Sequence, residues 1–386
     1  RIQTQMDKKL KSLNAEVLPD PDLLEKMALD VEYPHVFLGS FPREYLGLPI
    51  EVLSTAMKKG QNLFSVVRGK KQLPNFLGVA DSPKDGRSLI KKGNERVLVA
   101  RLEDARFFWE EDTRISMKER SKGLDQVVFQ ERLGTYSDKA ARIKKNVLYL
   151  ADKLERKSLK PALAEAAALC KTDLITEMVR EFPLLQGKVG GLYLRKEKYA
   201  DLVWRAVYDH YLPNGAEDPV PSTLSGAILS LVDKLDSIVG VVGLGVEISG
   251  SKDPFGLRRN ALGICRIILE KKLDFSFSLL LDKVYKGYGG QLELSGAKVR
   301  DYCLGFLKGR LQHIYEKRGF RYDLVKAALA PGIENIIHTE RRLHALDGLK
   351  DSSDFEPMIL VAKRVNNILR EQPNYTVNQS LLQEKQ

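Results

Sequence analysis

Residues 228–240 read ILSLVDKLDSIVG, and this stretch decides the fold class. Ile228, Leu231, Leu235 and Val239 recur at steps of three and four, which makes one face of a helix apolar. The same period extends outward in both directions. Toward the N-terminus it is carried by Leu163, Ala167, Cys170, Leu174 and Met178, then by Ile143, Val147, Leu150 and Leu154, and earlier by Val97, Leu98, Ala105, Phe108 and Trp109. Toward the C-terminus Val299, Cys303, Phe306 and Ile314 repeat it, and helix is expected to about residue 371. The first 90 or so residues read differently. Met6, Leu10, Leu13 and Val17 keep a helical spacing, but Pro19, Pro21 and Pro34 punctuate it and His35-Val36-Phe37-Leu38 reads as a short strand. Pro49 can start a helix over residues 50–59 that Gly60 ends. Residues 63–67 and 76–79, joined by a turn at Arg68-Gly69-Lys70-Lys71, read as a hairpin. The expected fold class is mostly α with a smaller α+β N-terminal part.

The chain has 386 residues, enough for two to three domains of roughly 150 residues. Its 62 Lys and Arg exceed its 51 Asp and Glu, giving a formal charge of +11. A composition 43% hydrophobic supports a sizeable core and argues against intrinsic disorder. No stretch approaches the roughly 20 uncharged apolar residues of a membrane helix. Cys170, Cys265 and Cys303 lie far apart with no CxxC pair, which disfavours a disulfide framework or a cysteine-built zinc site and points to a reducing compartment. The basic excess fits a polyanion partner such as nucleic acid, or only a soluble basic surface. The chain opens on Arg1 rather than Met and carries no signal-peptide pattern, so a fragment, a processed form or a trimmed chain is expected.

No GxxxxGK[ST], HExxH or GxSxG motif occurs in the sequence. Of the five histidines, His35, His210, His313, His338 and His344, none forms an i, i+4 pair, so surface or hydrogen-bonded roles are expected and no metal site. The segment GVEISGSKDPFGLRR, residues 245–259, is the most informative. Its glycines and serines make a loop after an apolar helix. Asp253 suits an N-cap and Pro254 the first helical position. Arg258 and Arg259 then fall in the early turns, with Lys252 just before. Free amides beside cations form a phosphate-binding arrangement, unless Asp253 already satisfies those amides. Paired cations such as Lys91-Lys92 recur and suggest a broad electrostatic surface. Phe107-Phe108-Trp109 reads as core packing or as a stacking platform.

Several strings together carry a family resemblance. They are LPNFLGVAD (73–81), GNERVLVARLEDARFFWEED (93–112), VVFQERLGTYSDKAARI (127–143), KTDLITEMVREFPLLQGKVGGLY (171–193), YDHYLP (208–213), LVDKLDSIVG (231–240) and GSKDPFGLRRNALGICRI (250–267). In this order and spacing, over roughly residues 35–370, the chain resembles the β subunit of bacterial-type heterotetrameric glycyl-tRNA synthetase. The resemblance implies an α2β2 ligase. Its α subunit would hold the catalytic core, with ATP and magnesium, and make glycyl-adenylate. The β subunit would bind tRNA-Gly and bind no cofactor of its own. It also implies that a preceding tRNA-binding portion and most of a C-terminal anticodon-binding domain are missing here. One departure is Gly60-Gln61-Asn62-Leu63-Phe64, where the family reads His-Gln-Lys-Tyr-Phe.

The resemblance further implies three parts: an α+β segment over 1–92, a helical domain over 93–270 similar to a degenerate HD domain, and a helical region over 271–386 leading into the anticodon-binding domain. In active HD phosphohydrolases histidines and aspartates surround a metal. Here the matching positions fall at Asp138, at Thr172-Asp173, and at Asp233 or Asp236, with two histidines lost, so no phosphohydrolase activity is expected. The expected tRNA contacts are Lys252, Arg258 and Arg259, then Lys91 and Lys92. No catalytic residue is expected on this chain, no membrane contact, and a cytoplasmic or organellar location. The competing readings are an HD-type metal-dependent phosphohydrolase and a helical scaffold that binds only a partner protein.

Overall fold

The computed structural model describes residues 1–246, Asp253 and residues 255–369. Lys252 lies outside the described residues, as do Gly250, Ser251 and Pro254. The N-terminal part is an antiparallel sheet of β1 (Glu16–Val17), β2 (Pro34–Ser40), β3 (Phe64–Arg68) and β4 (Lys71–Asp81), in the order β1-β3-β4-β2. Gly69 and Lys70 make the two-residue turn between β3 and β4, and Gly69 takes the positive φ of 58° that such a turn favours.

Both faces of this sheet are covered, and strand alternation sorts the side chains. Val36, Phe64, Val66 and Leu77 pack under the helices Ile2–Leu10 and Pro21–Asp30. Phe37 and Phe76 point the other way, into the helical body. Phe37 pairs across the strands with Gly78, and Phe76 with Gly39. Each ring lies over the partner glycine, so a Cβ on either glycine would fall inside the ring. The outer edge of β2 is also occupied. The Gln5 side-chain amide donates to Pro34 O at 2.8 Å and accepts from Val36 N at 3.0 Å. Glu95 Oε1 accepts from Ser40 N at 2.8 Å. These contacts use groups that an open strand edge would offer to another chain.

From Leu89 onward the chain is almost entirely helical, as expected. The body is built around the helix Leu224–Gly243, in which every residue from Ser225 to Gly243 except Ser237 is buried. The helices Tyr136–Lys153, Asp201–Asp209, Leu257–Lys271, Phe277–Lys286 and Gly296–Lys317 surround it. One apolar cluster runs from Phe37 in the sheet to Leu343 in the helix Ile336–Leu349. The residue 92/93 boundary falls near the start of the helix Leu89–Asp112. Residues 213–222 form a loop between two helices of the same core.

Three local expectations differ from the structure. The stripe from Leu163 to Met178 is not one helix. It is Lys160–Leu169, a tight turn at Thr172–Ile175 and the short helix Glu177–Glu181. The break turns Lys171, Thr172 and Asp173 into the interior, while the Thr176 hydroxyl accepts from Val179 N at 3.2 Å and caps the new start. In Gly296–Lys317 the inward position is Leu307, and Phe306 is only half-buried. The helix after the 245–259 loop starts at Leu257, later than Pro254 would place it.

Candidate functional site

The central helix carries Asp233, Lys234 and Asp236 in its buried surface. Charges there must be paired, because burial without a partner is too costly. Helix Tyr136–Lys153 supplies Lys139 and Arg142, one turn apart like Asp233 and Asp236. The Lys139 ammonium lies 3.1 Å from Asp233 Oδ1, 3.2 Å from Asp236 Oδ2 and 2.8 Å from Ser237 Oγ. The Arg142 guanidinium holds Asp236 through Nε at 2.9 Å and a terminal nitrogen at 3.2 Å, with its face against Tyr288. Lys171 enters from the broken stripe. Its ammonium donates to Asp233 Oδ2 at 2.6 Å, reaches His210 Nε2 at 3.1 Å and sits 4.0 Å from the centre of the Tyr211 ring.

These partners set the charge states. Burial alone would push the Asp233 carboxyl up, but the Lys171 and Lys139 ammoniums hold it well below the usual carboxylate range. Burial and the adjacent Lys171 push His210 down to about 3, so the ring is neutral. Its Nδ1–H then donates to Val207 O at 2.6 Å, and Nε2 accepts from Lys171. Burial pushes Asp173 up to about 6, partly offset by the Gly187 backbone amide that donates to its Oδ2. Asp173 Oδ1 and Thr172 Oγ1 have no hydrogen-bond partner among the described residues. Burial pushes the Cys170 thiol up to about 12, so it is not a nucleophile at neutral pH.

The competing reading, an HD-type phosphohydrolase, would need a divalent metal at these carboxylates, and the residues present do not fit one. Ammonium groups already take both Asp233 oxygens, Asp236 is held by Lys139 and Arg142, and Asp173 faces a backbone amide. Among the described residues no group of three His, Cys, Asp or Glu side chains is placed to hold a metal ion. Asp138 is exposed and makes a capping box with Thr135 at the start of Tyr136–Lys153, so it supports the helix rather than the cluster.

A cleft of about 390 Å³ opens onto this cluster. Lys139, Lys171, Asp233 and Lys234 form its floor, Tyr136 and Tyr211 its sides, and Phe255 and Arg259 its rim. Of the expected tRNA contacts, Arg259 is thus brought to the cleft. The amides of Leu257 and Arg258 donate to the Asp253 carboxylate at 2.7 and 3.0 Å, which is the capping alternative for that helix start. Lys91 and Lys92 lie on the helix Leu89–Asp112 beside the sheet, where Lys91 is 3.8 Å from Glu95. Trp109 packs at 4.7 Å centroid distance on Tyr193, and Phe107 is exposed. Sequence reading missed Lys139, Arg142, Lys171 and Lys234. The signal for Lys139 and Arg142 is a pair of basic residues three apart on one helix matched by a pair of acidic residues, Asp233 and Asp236, three apart on another.

A family model described as "Glycyl-tRNA synthetase beta subunit" matches residues 1–330. The chain belongs to that family. It is similar to the glycine–tRNA ligase β subunit of Geotalea daltonii, at 39% identity over 384 residues. It is also similar to those of Syntrophomonas wolfei and Clostridioides difficile, at 38% and 37% identity over 383 residues each. These alignments cover 99% of this chain and 56% of each relative, so the chain spans just over half the length of the curated family members it matches. No helix among the described residues is long and apolar enough to cross a membrane.

Proposed function

We propose that this chain acts as the tRNA-binding part of a glycyl-tRNA synthetase β subunit. In this reading it supports attachment of glycine to tRNA-Gly, in an α2β2 assembly in the cytoplasm. Adenylate formation, with its ATP and magnesium, belongs to the α subunit, and this chain holds no adenylation site. The observation that carries the reading is the family match over residues 1–330 together with identities of 37–39% across nearly the whole chain. The charge of +11 supports a polyanion partner. A central domain similar to a degenerate HD domain belongs to the same proposal. Its cluster is neutralised by lysines and arginine, which favours a structural and binding role over metal-dependent hydrolysis.

The test is a titration of tRNA-Gly against a non-cognate tRNA at two salt concentrations, with and without the α subunit. Cognate preference that grows with α is expected. Arg258→Ala and Arg259→Ala should each weaken binding and lower the salt slope by about one. Unchanged affinity and slope in both variants would remove the loop-and-helix segment from the tRNA surface. Salt-sensitive but indiscriminate binding, with or without α, would overturn the cognate role.

A further inference from the structure

The cleft above the cluster has more positive charge than the fold needs. Among its lining residues, Lys139, Lys171, Lys234 and Arg259 face one carboxylate, Asp233. Behind them Arg142 and Asp236 offset each other. Lys139 and Lys171 are used up on the aspartates, but two cations are not. The buried Lys234 ammonium donates to one acceptor among the described residues, Tyr211 O at 2.8 Å, and keeps its remaining protons free. Burial pushes it down to about 8, so it stays charged at neutral pH in a site where an anion would relieve it. The exposed Arg259 guanidinium makes no hydrogen bond or ion pair among the described residues and stands on the rim. The side-chain amides of Asn214 and Asn260 line the same space, also without partners among the described residues. Phe255, on the rim, and Phe129 provide apolar faces. A volume of about 390 Å³ suits a small ligand.

We propose that this cleft binds a phosphate ester of mononucleotide size, with the phosphate between Lys234 and Arg259 and the ring system against Phe255. The chemistry follows from the lining. A planar guanidinium and an ammonium with free protons match phosphate oxygens, the asparagine amides serve a sugar or base edge, and the aromatic rim serves a flat ring. The site is separate from the two Asp253-capped amides, which are already satisfied. A free nucleotide and the phosphorylated end of an RNA share this chemistry.

Calorimetric titration of the 386-residue chain with adenosine 5′-monophosphate, inorganic phosphate and adenosine tests the proposal. The monophosphate should saturate one site per chain, phosphate should bind more weakly, and adenosine should not bind measurably. Arg259→Ala should weaken the monophosphate by about tenfold or more, and Lys234→Met likewise. Lys8→Ala, on the exposed side of the helix Ile2–Leu10, should leave it unchanged. Arg259 is exposed, so its variant carries the test even if Lys234→Met fails to fold. Absence of saturable binding, unchanged affinity in Arg259→Ala, or an equal loss in Lys8→Ala overturns the site. Displacement of the monophosphate by a 5′-phosphorylated oligonucleotide, but not by its dephosphorylated copy, supports the site and assigns the phosphate to an RNA end. No displacement supports the site as one for the free nucleotide.

Discussion

Lys171 shows why a charge can be kept inside this protein. Only 1% of it is exposed, yet its ammonium has a carboxylate, an imidazole nitrogen and an aromatic face around it. Every proton has an acceptor, so the desolvation cost is offset locally. Asp173, two residues on, is the opposite case. One oxygen takes the Gly187 amide and the other has no partner among the described residues. Its carboxyl is pushed from 3.8 up to about 6 by burial. A carboxyl raised in the folded state contributes stability that is full below the unfolded value and lost as pH rises through the folded one. The ionised form is therefore a burden at neutral pH. Asp173→Asn keeps an acceptor for Gly187 and removes that burden. Its stability relative to the native chain should improve between pH 4 and pH 8, by up to about 3 kcal/mol. Urea denaturation at the two pH values reads this directly. A variant that loses ground as the pH rises would show that Asp173 is stabilised as the anion. The neighbouring His210, pushed down to about 3, works the other way, since its stability is present above the unfolded value and lost on acidification.

At the scale of elements, the helices were legible where one apolar stripe faces the core. Ile143, Val147 and Leu150, or Ile228, Leu231, Leu235 and Val239, are fully buried as their spacing predicts. The hairpin was legible from its β-rich runs and glycine turn. The break after Leu169 was not, because the stripe continues through it in register. What holds the restart of the helix at Glu177 is a set of polar contacts with distant segments, and spacing carries no trace of them. Asp112, at the end of Leu89–Asp112, is the main one. Its carboxylate accepts from Glu177 N at 3.0 Å, Met178 N at 2.9 Å and the Tyr193 hydroxyl at 2.9 Å, with Arg120 at 3.4 Å. A five-residue helix has no stability of its own, so Glu177–Glu181 depends on this cap. Asp112→Ala leaves buried donors unsatisfied and should cost about 3 kcal/mol or more. Asp138→Ala removes an exposed capping box and should cost about 1 kcal/mol. Equal costs in chemical denaturation would mean that the Asp112 contacts relax onto other acceptors. The candidate site was half legible for the same reason. Asp233, Asp236 and Arg259 were singled out by sequence, while the lysines that neutralise the aspartates are recognisable only once two helices are seen side by side.

The whole molecule raises the question of how far its parts stand alone. The expected boundary at residue 92/93 separates the sheet from the helical body, yet the apolar cluster crosses it. Leu98, Leu102 and Ala105 of the helix Leu89–Asp112 are fully buried in the same cluster as Val52, Leu53, Ala56 and Met57 of the helix Ile50–Lys58. Polar contacts cross as well, from Arg101 to Lys59 O at 2.7 Å and from Gln61 to Asn94 O at 3.1 Å. Removing residues 1–88 would leave the long helix intact but expose this face. Two leucines returned to water lose roughly 3–6 kcal/mol at about 1.5–3 kcal/mol each. A domain is stable by only about 5–15 kcal/mol, so the loss is a large share. The helical body without residues 1–88 should therefore melt roughly 6–24 °C below the same body in the full chain, at about 2–4 °C per kcal/mol. Scanning calorimetry of the two chains measures it. The full chain should show the sheet and body unfolding in one main transition, because neither buries its apolar face without the other. A truncated body with an unchanged midpoint would show that the shared cluster packs the two parts together without stabilising either.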